Sequence, residues 1–206
     1  YDDMARFEEA LIEGKWDLVI MANDQLEPTK TIFENLDAYV KRGGRLIIHT
    51  WSMPEVADAP LWETLGVRWM ETNDLAPGER AAPLFWWDPD HPVFNDPNVR
   101  VPEFLEMSNT WERRWFVQHA VDFGKGFDPL AGYTEDPAEG AAGLVIGNGG
   151  QTIFRGFVDF INEADLDDDK IPDAQELWEN LIKFILRPLP FPKLHPANSA
   201  TGVPLD

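Results

Sequence analysis

The densest run of chemistry-bearing residues is Asp165-Leu-Asp-Asp-Asp-Lys-Ile-Pro-Asp-Ala-Gln-Glu176. Counted from Asp165 as position 1, acidic residues fall at positions 1, 3, 5, 9 and 12: Asp165, Asp167, Asp169, Asp173 and Glu176. Those are ligand places of a twelve-residue calcium loop, and Ile171 stands at position 7, where the backbone carbonyl is the ligand. A hard cation such as Ca²⁺ gathers carboxylate and carbonyl oxygens and relieves the repulsion among them. Position 6 favours glycine because the turn there needs a positive φ, and this chain has Lys170. The competing reading is an acidic helix start, with Asp173 and Glu176 favoured by the helix dipole and the other acids solvated.

A second constellation surrounds His49. Asp17–Ala22 and Arg45–Thr50 are short apolar runs of strand-forming residues. In an open parallel sheet, ligands settle beyond the carboxyl ends of the strands. That rule brings Asn23, Asp24 and Gln25 beside His49, Thr50 and Trp51. His49 is suited to act as acid or base near neutral pH, with Asp24, or Glu106 of the Glu103/Glu106 pair, as orienting carboxylate. The alternative is a hydrogen-bonded structural histidine at a strand end. Trp86, Trp87 and Trp111 lie among acids and amides, a mixture that could stack on and hydrogen-bond a carbohydrate or other small polar ligand. Their alternative is core packing. Ser52 lacks a Gly-x-Ser-x-Gly turn, the four histidines lack zinc-ligand spacing, and Gly147–Gly150 matches no phosphate-binding motif.

The elements that must hold these groups follow from periodicity. Met4, Phe7, Ala10 and Leu11 predict a helix ending at Gly14, and Ile32, Phe33, Leu36, Tyr39 and Val40 predict another, starting near Pro28 and ending at Gly43-Gly44. Between the two apolar runs, the second helix makes a βαβ unit. A short helix over 60–66 leads into a strand at Val67–Met70. Pro129–Thr134, Gly143–Ile146 and Thr152–Val158 are further strands, and the last helix runs over Asp173–Leu186. The expected fold is α/β: an open, mostly parallel, flavodoxin-like sheet with helices on both faces and an irregular Trp-rich insertion over 71–125. One domain covers 1–186, followed by a proline-rich arm or linker over 187–206.

The chain has 206 residues, 44% of them hydrophobic, enough for one sizeable core. Lys and Arg number 17 against 37 Asp and Glu, a net charge of −20 that opposes binding to nucleic-acid phosphates. No apolar run reaches membrane-span length, and the N-terminus lacks the pattern of a signal peptide. Cysteine is absent, which removes disulfides and thiol nucleophiles together.

The order Trp16-Asp-Leu-Val-Ile, helix, Tyr39-Val-Lys-Arg-Gly-Gly-Arg-Leu-Ile-Ile-His-Thr-Trp51 resembles the class I glutamine amidotransferase-like superfamily, in particular its trehalose-utilisation-like branch. Gly150-Gln-Thr-Ile-Phe-Arg-Gly-Phe-Val, followed by Leu177-Trp-Glu-Asn-Leu-Ile-Lys-Phe, resembles the last strand and helix of those domains. The superfamily's nucleophilic Cys has no counterpart here, so glutamine hydrolysis by that route is ruled out. Its opening strand is also missing ahead of the first helix. The acidic loop resembles the Asp-x-Asp-x-Asp-Gly-Ile-Pro-Asp-x-x-Glu loops of many exported bacterial proteins.

The leading expectation is a noncatalytic amidotransferase-like binding or assembly domain of an exported or cell-surface protein, with a structural calcium loop. The resemblance implies a competing enzyme that acts on a sugar or similar polar metabolite through His49. A third reading is a structural subunit that self-associates, or meets a protein partner, through the C-terminal arm or an exposed sheet edge. A cytoplasmic location is the alternative to export.

Overall fold

In the computed structural model, residues 3–23, 29–50, 56–74, 83–103, 116–123, 127–139, 142–157 and 164–188 are described. Helix α1 (Met4–Glu13) starts where Asp3 accepts the N–H groups of Ala5 and Arg6, at 2.9 and 3.3 Å, and ends at Gly14. Thr29 caps α2 (Lys30–Lys41) in the same way, accepting from Ile32 N–H at 3.2 Å. The apolar stripe of α2 is buried as its spacing predicts. The turn after it needs a positive φ at Gly43 (96°), and the Tyr39 hydroxyl joins both flanks, donating to Trp16 C=O and accepting from Arg45 N–H.

The strands are β1 (Val19–Asn23), β2 (Leu46–Thr50), β3 (Val67–Asp74), β4 (Phe85–Trp86), β5 (Phe116–Phe123), β6 (Asp128–Gly132), β7 (Ala142–Gly147) and β8 (Thr152–Arg155). Short α3 (Leu61–Leu65) precedes β3, and α4 (Asp173–Leu186) follows the acidic loop. The strands form one sheet with main order β1-β2-β8-β7-β5-β3, while β6 joins β7 and β4 joins β6. Alternation along the central strands divides the core. Ile47 and Ile153 face Leu177, Leu181 and Ile185 of α4, whereas Leu46, Ile48 and Phe154 face residues of α1, α2 and α3. Helices therefore cover both faces.

The α/β class holds, and the expectation of a mostly parallel sheet is corrected. Among the described residues only β1, β2 and β8 pair in parallel; every pairing of β3, β4, β5, β6 and β7 is antiparallel. The four residues 148–151 between β7 and β8 allow a hairpin and are too few for a crossover. Buried antiparallel strands flanked by apolar layers carry the same continuous apolar runs as parallel ones. The region 71–125, expected to be irregular, contains part of β3 and all of β4 and β5. The arm is described only to Pro188.

Candidate metal centre

The acidic loop is a closed turn built on its own carboxylates. Asp165 accepts the N–H of Asp169 at 3.1 Å and that of Lys170 at 2.9 Å. Asp167 accepts from Asp169 at 3.3 Å, and Asp169 accepts from Ile171 N–H at 2.7 Å. Each is a short polar side chain turning the backbone just beyond it. Lys170 has φ of 80° and Asp168 of 63°, so the sharp turn expected at position 6 forms without glycine. The loop closes on α4 through two bonds of Asp173: its N–H donates to Ala164 C=O at 2.9 Å, and its Oδ1 accepts from Leu166 N–H at 3.2 Å.

This geometry gathers the carboxylates inward. Ligand oxygens of Asp165, Asp167 and Asp173 lie within 4.8 Å of one another, and so do those of Asp167, Asp169 and Glu176. Asp167 belongs to both groups, which therefore adjoin one another. Asp173 and Glu176 are buried at 0% and 2% exposure, and Asp173 Oδ2 and Glu176 Oε2 have no hydrogen-bond partner among the described residues. A buried carboxylate oxygen without a donor is costly, and a cation is the group that satisfies several at once. Burial, foremost, raises the Glu176 pKa to about 7, with Asp167, Asp169, Asp173 and Glu179 adding to the effect. Burial likewise raises Asp173, against the Leu166 N–H that lowers it, and Asp167, Asp165 and Asp169 push it further up.

The helix-start alternative has support as well: Asp173 and Glu176 stand in the first turn of α4, where the helix dipole favours an acid, although no side-chain cap bond forms there and the bond to Asp173 comes from Leu166, outside the helix. The residues fit a divalent metal. Carboxylate oxygens grouped in this way are the ligands a hard cation takes.

The His49 constellation is placed only in part. Asn23 and Thr50 are paired across the ends of β1 and β2. Asp24, Gln25, Trp51, Glu106 and Trp111 lie outside the described residues. His49 is buried, and neither ring nitrogen makes a hydrogen bond of ordinary geometry to the described residues. Burial, then the Arg155 guanidinium, lowers its pKa to about 3, although backbone of Arg155 and Phe157 near the ring favours a proton. At neutral pH the imidazole is uncharged. Sequence reasoning passed over Arg155, which is buried with its guanidinium 3.9 Å from the Trp178 ring centre and 4.6 Å from that of Phe157. An arginine alternating with Ile153 on one face of an apolar strand was the signal.

Trp86 and Trp87 were expected at a sugar site. Trp86 is a core ring instead, stacked on Phe94 at 4.4 Å with its indole N–H donating to Val101 C=O at 2.8 Å. Trp87 is half-buried and donates to Thr134 C=O at 2.8 Å. Their polar ends are used within the protein, which removes the hydrogen bonds they would offer a ligand. Asn180 is a further residue the sequence did not single out. Fully buried on α4, it accepts Asn98 N–H at 2.8 Å and donates to Asn98 C=O at 2.9 Å, holding the 88–101 segment against the helix that carries Asp173 and Glu176.

Comparison with protein-family models gives no match, and comparison with curated proteins gives none either.

Proposed function

We propose that this chain is a noncatalytic α/β binding or assembly domain whose acidic loop takes one Ca²⁺ as a structural ion. The observation that carries the reading is the pair Asp173 Oδ2 and Glu176 Oε2, buried without donors beside the carboxylates of Asp165, Asp167 and Asp169. Calcium suits it better than magnesium because Ca²⁺ accepts six to eight oxygens in flexible geometry, whereas Mg²⁺ demands a near-ideal octahedron and retains its waters. The ion would join the loop to the start of α4. That helix packs on one face of the sheet through Leu177, Leu181 and Ile185, so the effect would be on folding stability.

The noncatalytic part rests on the missing Cys and on the burial and neutrality of His49. Resemblance to the amidotransferase-like superfamily, and of the loop to those of exported bacterial proteins, supports a binding domain working outside the cytoplasm. Isothermal titration of the chelator-treated protein tests the reading. One Ca²⁺ per chain, lost in Asp167→Ala, is the expected result, and an absence of binding heat at millimolar Ca²⁺ refutes it.

A further inference from the structure

We infer that the β1 edge of the sheet is an interface for a second copy of this chain, which pairs with it antiparallel about a two-fold axis at Ile20. This rests on the assembly part of the proposal above and is independent of the calcium loop. Among the described residues β1 has a strand neighbour on one side only, β2. Val19 N–H donates to Arg45 C=O at 2.9 Å, so in this parallel pair Val19, Met21 and Asn23 turn their backbone groups toward β2. Leu18, Ile20 and Ala22 turn theirs to the open edge.

The edge also lacks the devices that keep sheets from meeting. Residues 18–22 include no charge and no proline, and no bulge interrupts their pairing with β2. A groove between α1 and β1 runs beside it, lined by uncharged side chains including Phe7, Leu11, Trp16 and Ile20. Two of the large apolar side chains most open to solvent line this edge: Trp16 at 47% and Ile20 at 39%. Such a cluster marks a covered surface more often than a bare one.

The pattern of the strand selects the occupant. The outward-turned residues 18, 20 and 22 are symmetric about Ile20, so an identical strand running the other way meets each with its proper partner. Ile20 pairs with itself, and Leu18 pairs with Ala22, a large side chain against a small one. On the other face Val19 sits opposite Met21. Asp17 falls opposite Asn23, so no acid of residues 17–23 faces an acid across the axis although each copy carries a net charge of −20. An uncharged lining offers a basic partner no ion pair, while the long-range repulsion of two acidic copies is screened by salt. Pairing would therefore strengthen as ionic strength rises.

Sedimentation equilibrium of the whole chain, over roughly a hundredfold range of concentration and at low and high salt, tests this. The expected result is a reversible dimer favoured by salt, and loss of the dimer in Ile20→Lys with an unchanged melting curve at low concentration. A monomer at every concentration overturns the proposal, as does Ile20→Lys dimerising as tightly as the wild type. Should that variant fold poorly, hydrogen exchange in the wild type decides. Protection of the Ile20 and Ala22 amides should rise with concentration, and concentration-independent exchange would refute the pairing. A monomer that still binds calcium would defeat the assembly reading and leave the metal site standing.

Discussion

Lys170 donates its backbone N–H to the Asp165 carboxylate at 2.9 Å while holding φ at 80°, so the first acid of the loop is fixed by a residue in a left-handed conformation. That conformation costs an L-residue on the order of 1–2 kcal/mol, and glycine adopts it freely. The Lys170 ammonium also adds a positive charge to a loop proposed to take a cation. Lys170→Gly should stabilise the protein by about 1 kcal/mol and tighten Ca²⁺ binding. Urea unfolding and calorimetric titration check the two effects, and weaker binding in the glycine variant would contradict this account of the turn.

Protonation of Glu176 should oppose metal binding. Its pKa rises from 4.5 unfolded to about 7 folded, so between those values the folded chain holds the extra proton. Stability without metal is then favoured below about pH 4.5 and lost as pH rises toward 7, by an amount on the order of 3 kcal/mol. Unfolding curves in a chelator from pH 5 to pH 8 should show that decline, and Glu176→Gln should flatten it. Calcium affinity should rise over the same interval, with proton release visible as a buffer-dependent heat.

His49 contributes with the opposite sign. Its pKa falls from 6.5 to about 3 on folding, so within that window the unfolded chain takes up the proton and stability is lost as pH falls. The two groups work against each other between about pH 4.5 and 6.5. Removing His49 should expose the Glu176 slope, and removing Glu176 should expose the His49 slope. Because both ring nitrogens are buried without ordinary hydrogen bonds, His49→Leu should be neutral or stabilising by about 1 kcal/mol. Histidine proton resonances followed from pH 5 to pH 8 should show no titration at His49.

Asn180 should matter more than its surroundings on an apolar helix face suggest. Its amide replaces the partner that Asn98 N–H and C=O would otherwise find in a strand. Asn180→Ala strands both groups and should cost about 2–4 kcal/mol, read from urea unfolding. Asn180→Asp keeps one of the two bonds and should fall between.

Legibility in the sequence followed the strength of local patterns. Helix α4 lies over Asp173–Leu186 as its spacing predicts, and the acidic positions of the loop before it stood out for the same reason. The burial of Asp173 and Glu176 was hidden, because it depends on how α4 lies across the sheet. Strand β5, with Gln118, His119 and Asp122 among its apolar residues, gave no clean alternation, and its pairing with β3 is interrupted by register shifts. Trp86 illustrates a different limit: a ring that could stack on a sugar stacks equally well on Phe94, and composition cannot choose between them.

A calcium ion in the loop over 165–176, as proposed, would secure the start of α4. Melting of the chelator-treated protein across a Ca²⁺ titration, with Mg²⁺ as control, tests it most directly, because a ligand confined to the folded state raises stability by mass action. The expected result is a saturable, Ca²⁺-selective rise in Tm that disappears in Asp167→Ala. A Tm indifferent to millimolar Ca²⁺, or raised equally in wild type and Asp167→Ala, would contradict it.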